Sequence, residues 1–253
     1  MKSLIALLCA ATFAQDTPRR RVSAEYLAVV RQIEQMRKTK PPSCSTGEPN
    51  RAALRDAAEL PKKGWGYKVA NPDRKTNFGT DEMVFGLMLQ GAEMAERYGT
   101  DGTFHVYDIG HKEGGKLSPH ISHQGGRDVD LGFYICDDKG RSQGNRIVDI
   151  DKEGKAKSGN LRFDLERNWT FVCTMIDNPY FGENIRFIIL AEWVQDLLTK
   201  YARDRMLKSR IPAEREYLEK HLKLAEKYFT TKNDHDNHYH LRLKCTREDA
   251  KEG

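Results

Sequence analysis

The chain has 253 residues, 38% hydrophobic and 31% charged, with a net charge of +5. That balance fits one sizeable soluble domain plus an arm, and the basic residues are too dispersed for the clustered stripe of a nucleic-acid-binding face. No apolar run approaches the roughly twenty residues needed to span a bilayer.

Residues 1–14 open with Lys2, continue as an apolar run and close on small residues, the pattern of a short secretory signal cut after Ala14. Its removal takes Cys9 and leaves Cys44, Cys136, Cys173 and Cys245, an even set bound for an oxidising compartment. Two disulfides are expected, Cys44 with Cys245 and Cys136 with Cys173, one of three possible connectivities. Residues 15–60 read as an N-terminal arm and 61–253 as the main domain. Within the arm, residues 19–40 place Tyr26, Val29, Val30, Ile33 and Met36 on one helical stripe, which Pro41 and Pro42 end. Residues 43–78 carry many turn formers and read as extended, with Gly64-Trp65-Gly66-Tyr67 either lining a groove or serving as packing aromatics.

A helix over 80–98 is expected, capped by Thr80 and stopped at Gly99, followed by a strand over 104–109. Gly125 and Gly126 then form a loop before Val129, Leu131 and Phe133, which alternate with Asp128 and Asp130 at the period of a strand. Residues 137–160 are polar and Gly-rich, a hairpin or inserted loop. Asp149-x-Asp151-x-Glu153-Gly154 resembles the opening of a calcium loop, but Asn160 stands where a bidentate Glu is required, so it reads as a turn. Asp164 caps a helix reaching Ile176, ended by Asn178-Pro179. A strand over 185–190, a helix over 192–206 with Trp193, Leu197 and Tyr201 on one face, and a helix from Pro212 to Phe229 follow. His105, His111 and His221 read as structural. Finally His238 and His240 alternate with Tyr239, Leu241 and Leu243, placing both imidazoles on one strand face. The expected fold is α+β, with a small antiparallel sheet of about four strands carrying a zinc site, flanked by helices, and with an N-terminal helical arm.

The zinc reading rests on two short segments, 118–134 and 235–240, which hold five of the chain's eight histidines. A catalytic zinc takes three protein ligands and leaves a position open for water. His123, Asp130 and His240 supply that number and kind. No His-Glu-x-x-His helix offers a Glu base, so His238 is expected to be the base, and His120 and His235 to orient water or protonate the leaving amine. Arg127 suits either a substrate carboxylate, through its forked guanidinium, or a surface salt bridge.

The pattern His120-x-x-His123-Gln124-x-Gly126-x-Asp128-x-Asp130, followed by His235-x-x-His238-x-His240, resembles the penicillin-insensitive murein endopeptidases, within the group that includes lysostaphin-type enzymes, D-Ala-D-Ala peptidases and the hedgehog domain. Asn77-Phe-Gly-Thr80, Phe163-Asp-x-x-Arg-Asn-Trp169 and Arg242-x-x-x-Cys245 extend the likeness over residues 76–245. The resemblance implies zinc on His123, Asp130 and His240, His238 as base, and His120 and His235 at the active site. It also implies cleavage of peptidoglycan cross-links between D-alanine and diaminopimelate in the periplasm. The 137–160 region departs from that pattern. Two alternatives remain open: a carboxypeptidase trimming stem peptides, and a non-catalytic zinc-stabilised binding module.

Overall fold

The computed structural model describes residues 22–157, 159–246 and 249; the expected signal segment with Cys9 lies outside them. Helix α1 (Ala24–Thr39) starts where the Ser23 hydroxyl accepts from the Tyr26 backbone, and it buries Tyr26, Val29, Val30 and Ile33. The next stretch is not plain extended chain. It folds into a hairpin of β1 (Cys44–Glu48) and β2 (Arg51–Arg55) and the short strands β3 (Ala58–Glu59), β4 (Lys63–Gly64), β5 (Tyr67–Val69) and β6 (Phe78–Gly79). Tyr67 is buried, as expected of a packing aromatic.

Helix α2 (Asp81–Tyr98) has the expected ends: the Thr80 hydroxyl accepts from the Met83 backbone, and Gly99 terminates it at φ +58°. Strand β7 (Phe104–Val106) leads to a long connection and then to β8 (Asp128–Asp137). After β8 come β9 (Ser142–Arg146), β10 (Leu161–Phe163), α3 (Leu165–Asp177), β11 (Ile185–Leu190), α4 (Glu192–Lys208), α5 (Pro212–Tyr228), β12 (Phe229–Thr231) and β13 (His238–Leu243).

The fold is α+β. Its centre is the antiparallel run β11-β13-β8-β7, the four strands that position the site. Short strands extend this run: β12 pairs parallel with β11, β5 pairs parallel with β7, β4 joins β5, and β9 and β10 both pair with β8. One face carries Val129, Leu131, Phe133, Tyr239, Leu241 and Leu243, all buried in the core. Alternation along β8 and β13 sends Asp128, Asp130, His238 and His240 to the other face. That face is covered too, leaving Asp130 only 4% exposed.

Helix α4 buries Val194, Leu198 and Ala202, and Trp193, Leu197 and Tyr201, the expected face, pack partly buried against the core beside them. One sequence expectation is corrected by the structure. The four cysteines expected to pair are free. Cys173 lies in the core on α3, Cys245 is exposed, and the Cys44 sulfur lies 3.6 Å from the Arg55 guanidinium. A core of this size does not depend on disulfides. Among the described residues, no helix is long and apolar enough to cross a membrane.

Candidate metal centre

The register of the two central strands builds the centre. His240 pairs with Asp130 across β13 and β8, and Arg242 pairs with Asp128. Directly opposed residues on neighbouring strands share a face and touch. His123 arrives from the loop before β8, where its own φ is +69° and Gly126 follows at +67°. A side chain at Gly126 would meet the Gly79 backbone at 2.8 Å. The close approach of loop to β6 therefore turns the His123 ring inward, where it is fully buried.

Three atoms converge there. The His123 Nε2 lies 3.4 Å from Asp130 Oδ1, the His240 Nδ1 lies 3.1 Å from the same oxygen, and the two nitrogens are 3.4 Å apart. The outer nitrogens are already engaged. His123 Nδ1 donates to the Ile109 carbonyl at 3.1 Å, and His240 Nε2 donates to Asp128 Oδ1 at 2.8 Å. With both rings neutral, the inner atoms are three acceptors facing one another, and Asp130 Oδ1 is buried without a hydrogen bond. A cation relieves that arrangement. A tetrahedral zinc with bonds of about 2.0–2.1 Å spaces its ligand atoms about 3.3–3.4 Å apart, which matches the observed triangle.

Electrostatics agree. Burial would raise the Asp130 carboxyl, but His123, His238 and His240 outweigh it and hold it well below the carboxylate range. Burial likewise opposes charge on His240, yet Asp128 and Asp130 raise its pKa to about 9.

His120 stands at the rim. Its Nε2 donates to Asp108 Oδ2 at 2.9 Å, and its Nδ1 lies 3.6 Å from Asp130 Oδ2. Asp108 is itself buried and fixed by the Thr76 hydroxyl at 2.6 Å and Arg74 at 3.1 Å. Asp108 raises the pKa of His120. His120, His123 and Asp130 present ligand atoms within 4.8 Å of one another, a group able to hold a metal ion. His238 Nε2 lies 3.5 Å from Asp130 Oδ1, with its Nδ1 on Asn237. The His235 ring stands 5.0 Å from that of His238 and 5.6 Å from that of His240, its Nδ1 on Asp234. Its pKa is lowered, since burial outweighs the Asp234 contact. All six residues expected at the site are therefore gathered in one place.

Sequence reasoning missed the residues that hold them. Asp128 was visible only as a motif position, and the alternation rule that put Asp130 on this face puts Asp128 there as well. Asp108 falls inside the expected strand over 104–109, just past where the observed strand ends at Val106, with no local signal of its partners. Arg127 does not stand at the surface. It is buried and donates to the Gly47 carbonyl at 2.8 Å, tying the β1–β2 turn to β8. His221, read as unremarkable, is fully buried, with its Nε2 2.9 Å from Asp177 Oδ2. Asp151 forms the expected turn, accepting from the backbone of Glu153 and Lys155.

The family model for penicillin-insensitive murein endopeptidases matches residues 45–170. No curated protein matches the chain. The matched stretch contains Asp108, His120, His123, Asp128 and Asp130, while His235, His238 and His240 lie beyond it. The chain belongs to the penicillin-insensitive murein endopeptidase family, whose members are peptidases of peptidoglycan.

Proposed function

We propose that the chain is a zinc-dependent D,D-endopeptidase that hydrolyses D-alanine to diaminopimelate cross-links of peptidoglycan, acting in the periplasm or outside the cell after loss of residues 1–14. Residues 15–60 serve as its arm and 61–253 as its peptidase domain. One observation carries the metal assignment: the Asp130 Oδ1, His123 Nε2 and His240 Nδ1 atoms, spaced 3.1–3.4 Å apart with their outer partners already engaged, form an acceptor triangle of tetrahedral-zinc size. His240 suits the third position better than His120, because His123 and His240 address the same oxygen of Asp130, whereas His120 faces the other oxygen and is engaged by Asp108.

Zinc, when bound, lowers the pKa of a bound water and polarises the scissile carbonyl. The other tasks fall to the chain. Asp130 and the two neutral imidazoles give the site one negative charge. The His238 Nε2, 3.5 Å from Asp130 Oδ1, is placed to take the proton from the attacking water and return it to the leaving amine. His120, braced by Asp108, orients water or stabilises the developing oxyanion from the rim. His235 lines the same wall and is 13% exposed, open enough to meet substrate or the leaving amine.

The test is digestion of purified sacculi and of defined muropeptides, read by mass spectrometry. Cross-linked dimers should fall to monomers in a reaction stopped by chelator and restored by zinc. Trimming of monomeric pentapeptide with dimers left intact would instead identify a carboxypeptidase. His238→Ala should lower turnover by about 10²–10⁴ with zinc content unchanged.

A further inference from the structure

The loop over residues 147–157 packs along the segment that carries the second group of histidines. The Val148 backbone donates to the Asn237 carbonyl at 3.1 Å, and the Ile150 backbone donates to the Asp236 carbonyl at 2.9 Å. Ile150 is fully buried, and its carbonyl accepts from the Trp193 indole at 2.8 Å, which anchors the loop to α4. Lys157 closes the loop from the other side, 2.6 Å from Asp236 Oδ2 and 3.8 Å from Asp149 Oδ2. Asp149 is thereby held opposite Asn237.

The contacts that follow have a fixed direction. Asp149 Oδ1 lies 2.9 Å from Asn237 Nδ2. An ionised carboxylate only accepts, so the Asn237 amide must turn its NH2 group to Asp149 and its oxygen the other way. That oxygen lies 2.5 Å from His238 Nδ1. An amide oxygen also only accepts, so the His238 proton sits on Nδ1 and the lone pair on Nε2. Nε2 is the nitrogen that faces the centre, 3.5 Å from Asp130 Oδ1. With the opposite tautomer, the nitrogen facing the centre would carry a proton and could not accept one from water.

We infer that Asp149 and Asn237 are positioning residues that set the ring orientation and tautomer of His238, and that the 147–157 loop braces the proposed base. This rests on the reading of His238 as the base, and it assigns work to a loop outside the two histidine segments. Holding a histidine through its outer nitrogen is also how metal-site imidazoles are oriented; here the same device serves a ring that is not a ligand.

The test uses the zinc-loaded full chain with Asn237→Ala, Asp149→Ala and Asp149→Asn. Histidine 15N spectra, taken at about pH 9 where an ordinary imidazole is neutral, should show the Nδ1–H tautomer at His238 in the parent. That signature should be lost or mixed in Asn237→Ala. On cross-linked muropeptide, Asn237→Ala should lower kcat by about 10–100-fold, with KM within about twofold and zinc content and Tm near the parent's. Asp149→Ala should show a smaller loss in kcat, and Asp149→Asn, which keeps an acceptor oxygen, should recover most of it. An Nε2–H tautomer in the parent, or an unchanged tautomer and kcat in Asn237→Ala, would overturn the inference. A parent with the Nδ1–H tautomer, lost in Asn237→Ala, but with no turnover of any muropeptide would leave the brace standing and defeat the peptidase reading instead.

Discussion

Asp128→Ala isolates the support of one proposed ligand without touching the triangle. Asp128 is 1% exposed and accepts from His240 Nε2 at 2.8 Å and Arg242 Nε at 2.6 Å. Burial would raise its carboxyl, but His240 outweighs that, aided by His123 and Arg242, and holds it at about 2, so it is ionised throughout the working range. Its loss frees the His240 ring to rotate and weakens that nitrogen as a donor. Partners of this kind are worth about 10–100-fold in metal affinity, or about 1.4–2.7 kcal/mol. The pH of the assay matters. A proton held on His240 with a pKa of about 9 competes with zinc at pH 7 by about two decades, and Asp128 is one source of that competition. Competition titration against a fluorescent chelator at about pH 9 removes it. There Asp128→Ala should bind zinc about 10–100-fold more weakly than the parent, with a near-native circular dichroism spectrum. A folded variant whose affinity stays within threefold would refute the claim that Asp128 orients a ligand.

Other outcomes follow from the same geometry. Zinc affinity of the parent should fall about tenfold per pH unit below about 9, because His240 must lose its proton to bind. Isothermal titration in buffers of different ionisation enthalpy should detect the released proton. In the zinc-free protein, the raised pKa of His240 stabilises the fold below about 6.5, and this contribution disappears as pH rises towards about 9. The midpoint of thermal unfolding after chelation reads it. His221→Ala should cost about 2–4 kcal/mol in urea unfolding, since it opens a core cavity and deprives Asp177 of its imidazole partner, while zinc affinity stays unchanged. Reductant should leave Tm unchanged. Cys245 should react quickly with a thiol reagent in the native state, and Cys173 only on unfolding, because burial removes it from solvent and pushes its thiol well above the usual range.

The parts of the fold legible in the sequence are those governed by local rules. Thr80 and Gly99 bracket α2 because capping chemistry acts within one turn. The β13 face was legible because strand alternation needs no tertiary knowledge. The α4 face of Trp193, Leu197 and Tyr201 was legible in the same way, though the residues most deeply buried beside it, Val194, Leu198 and Ala202, are set by the neighbouring helices. The even cysteine count suggested cross-links, but pairing depends on where α3 buries Cys173 and where the chain leaves Cys245. The proposed ligands were readable as a pattern of metal-binding side chains. The acids that hold the site histidines, Asp108 at His120, Asp128 at His240 and Asp149 behind the Asn237–His238 pair, were not assigned, because each reaches its partner through strand register or a distant loop contact rather than motif spacing. Arg127 shows the converse: it sits beside the motif, and the β1–β2 turn claims it for packing.

The central proposal is one metal held by His123, Asp130 and His240. A crystal structure of the zinc-loaded chain, with anomalous data on both sides of the zinc edge, tests it most directly. The result predicted is a single peak about 2.0–2.1 Å from His123 Nε2, Asp130 Oδ1 and His240 Nδ1, with His238 and His120 outside bonding distance. A peak bound by His120, His123 and Asp130 with His240 still on Asp128 and unligated, or no peak in that triangle at all, would contradict it.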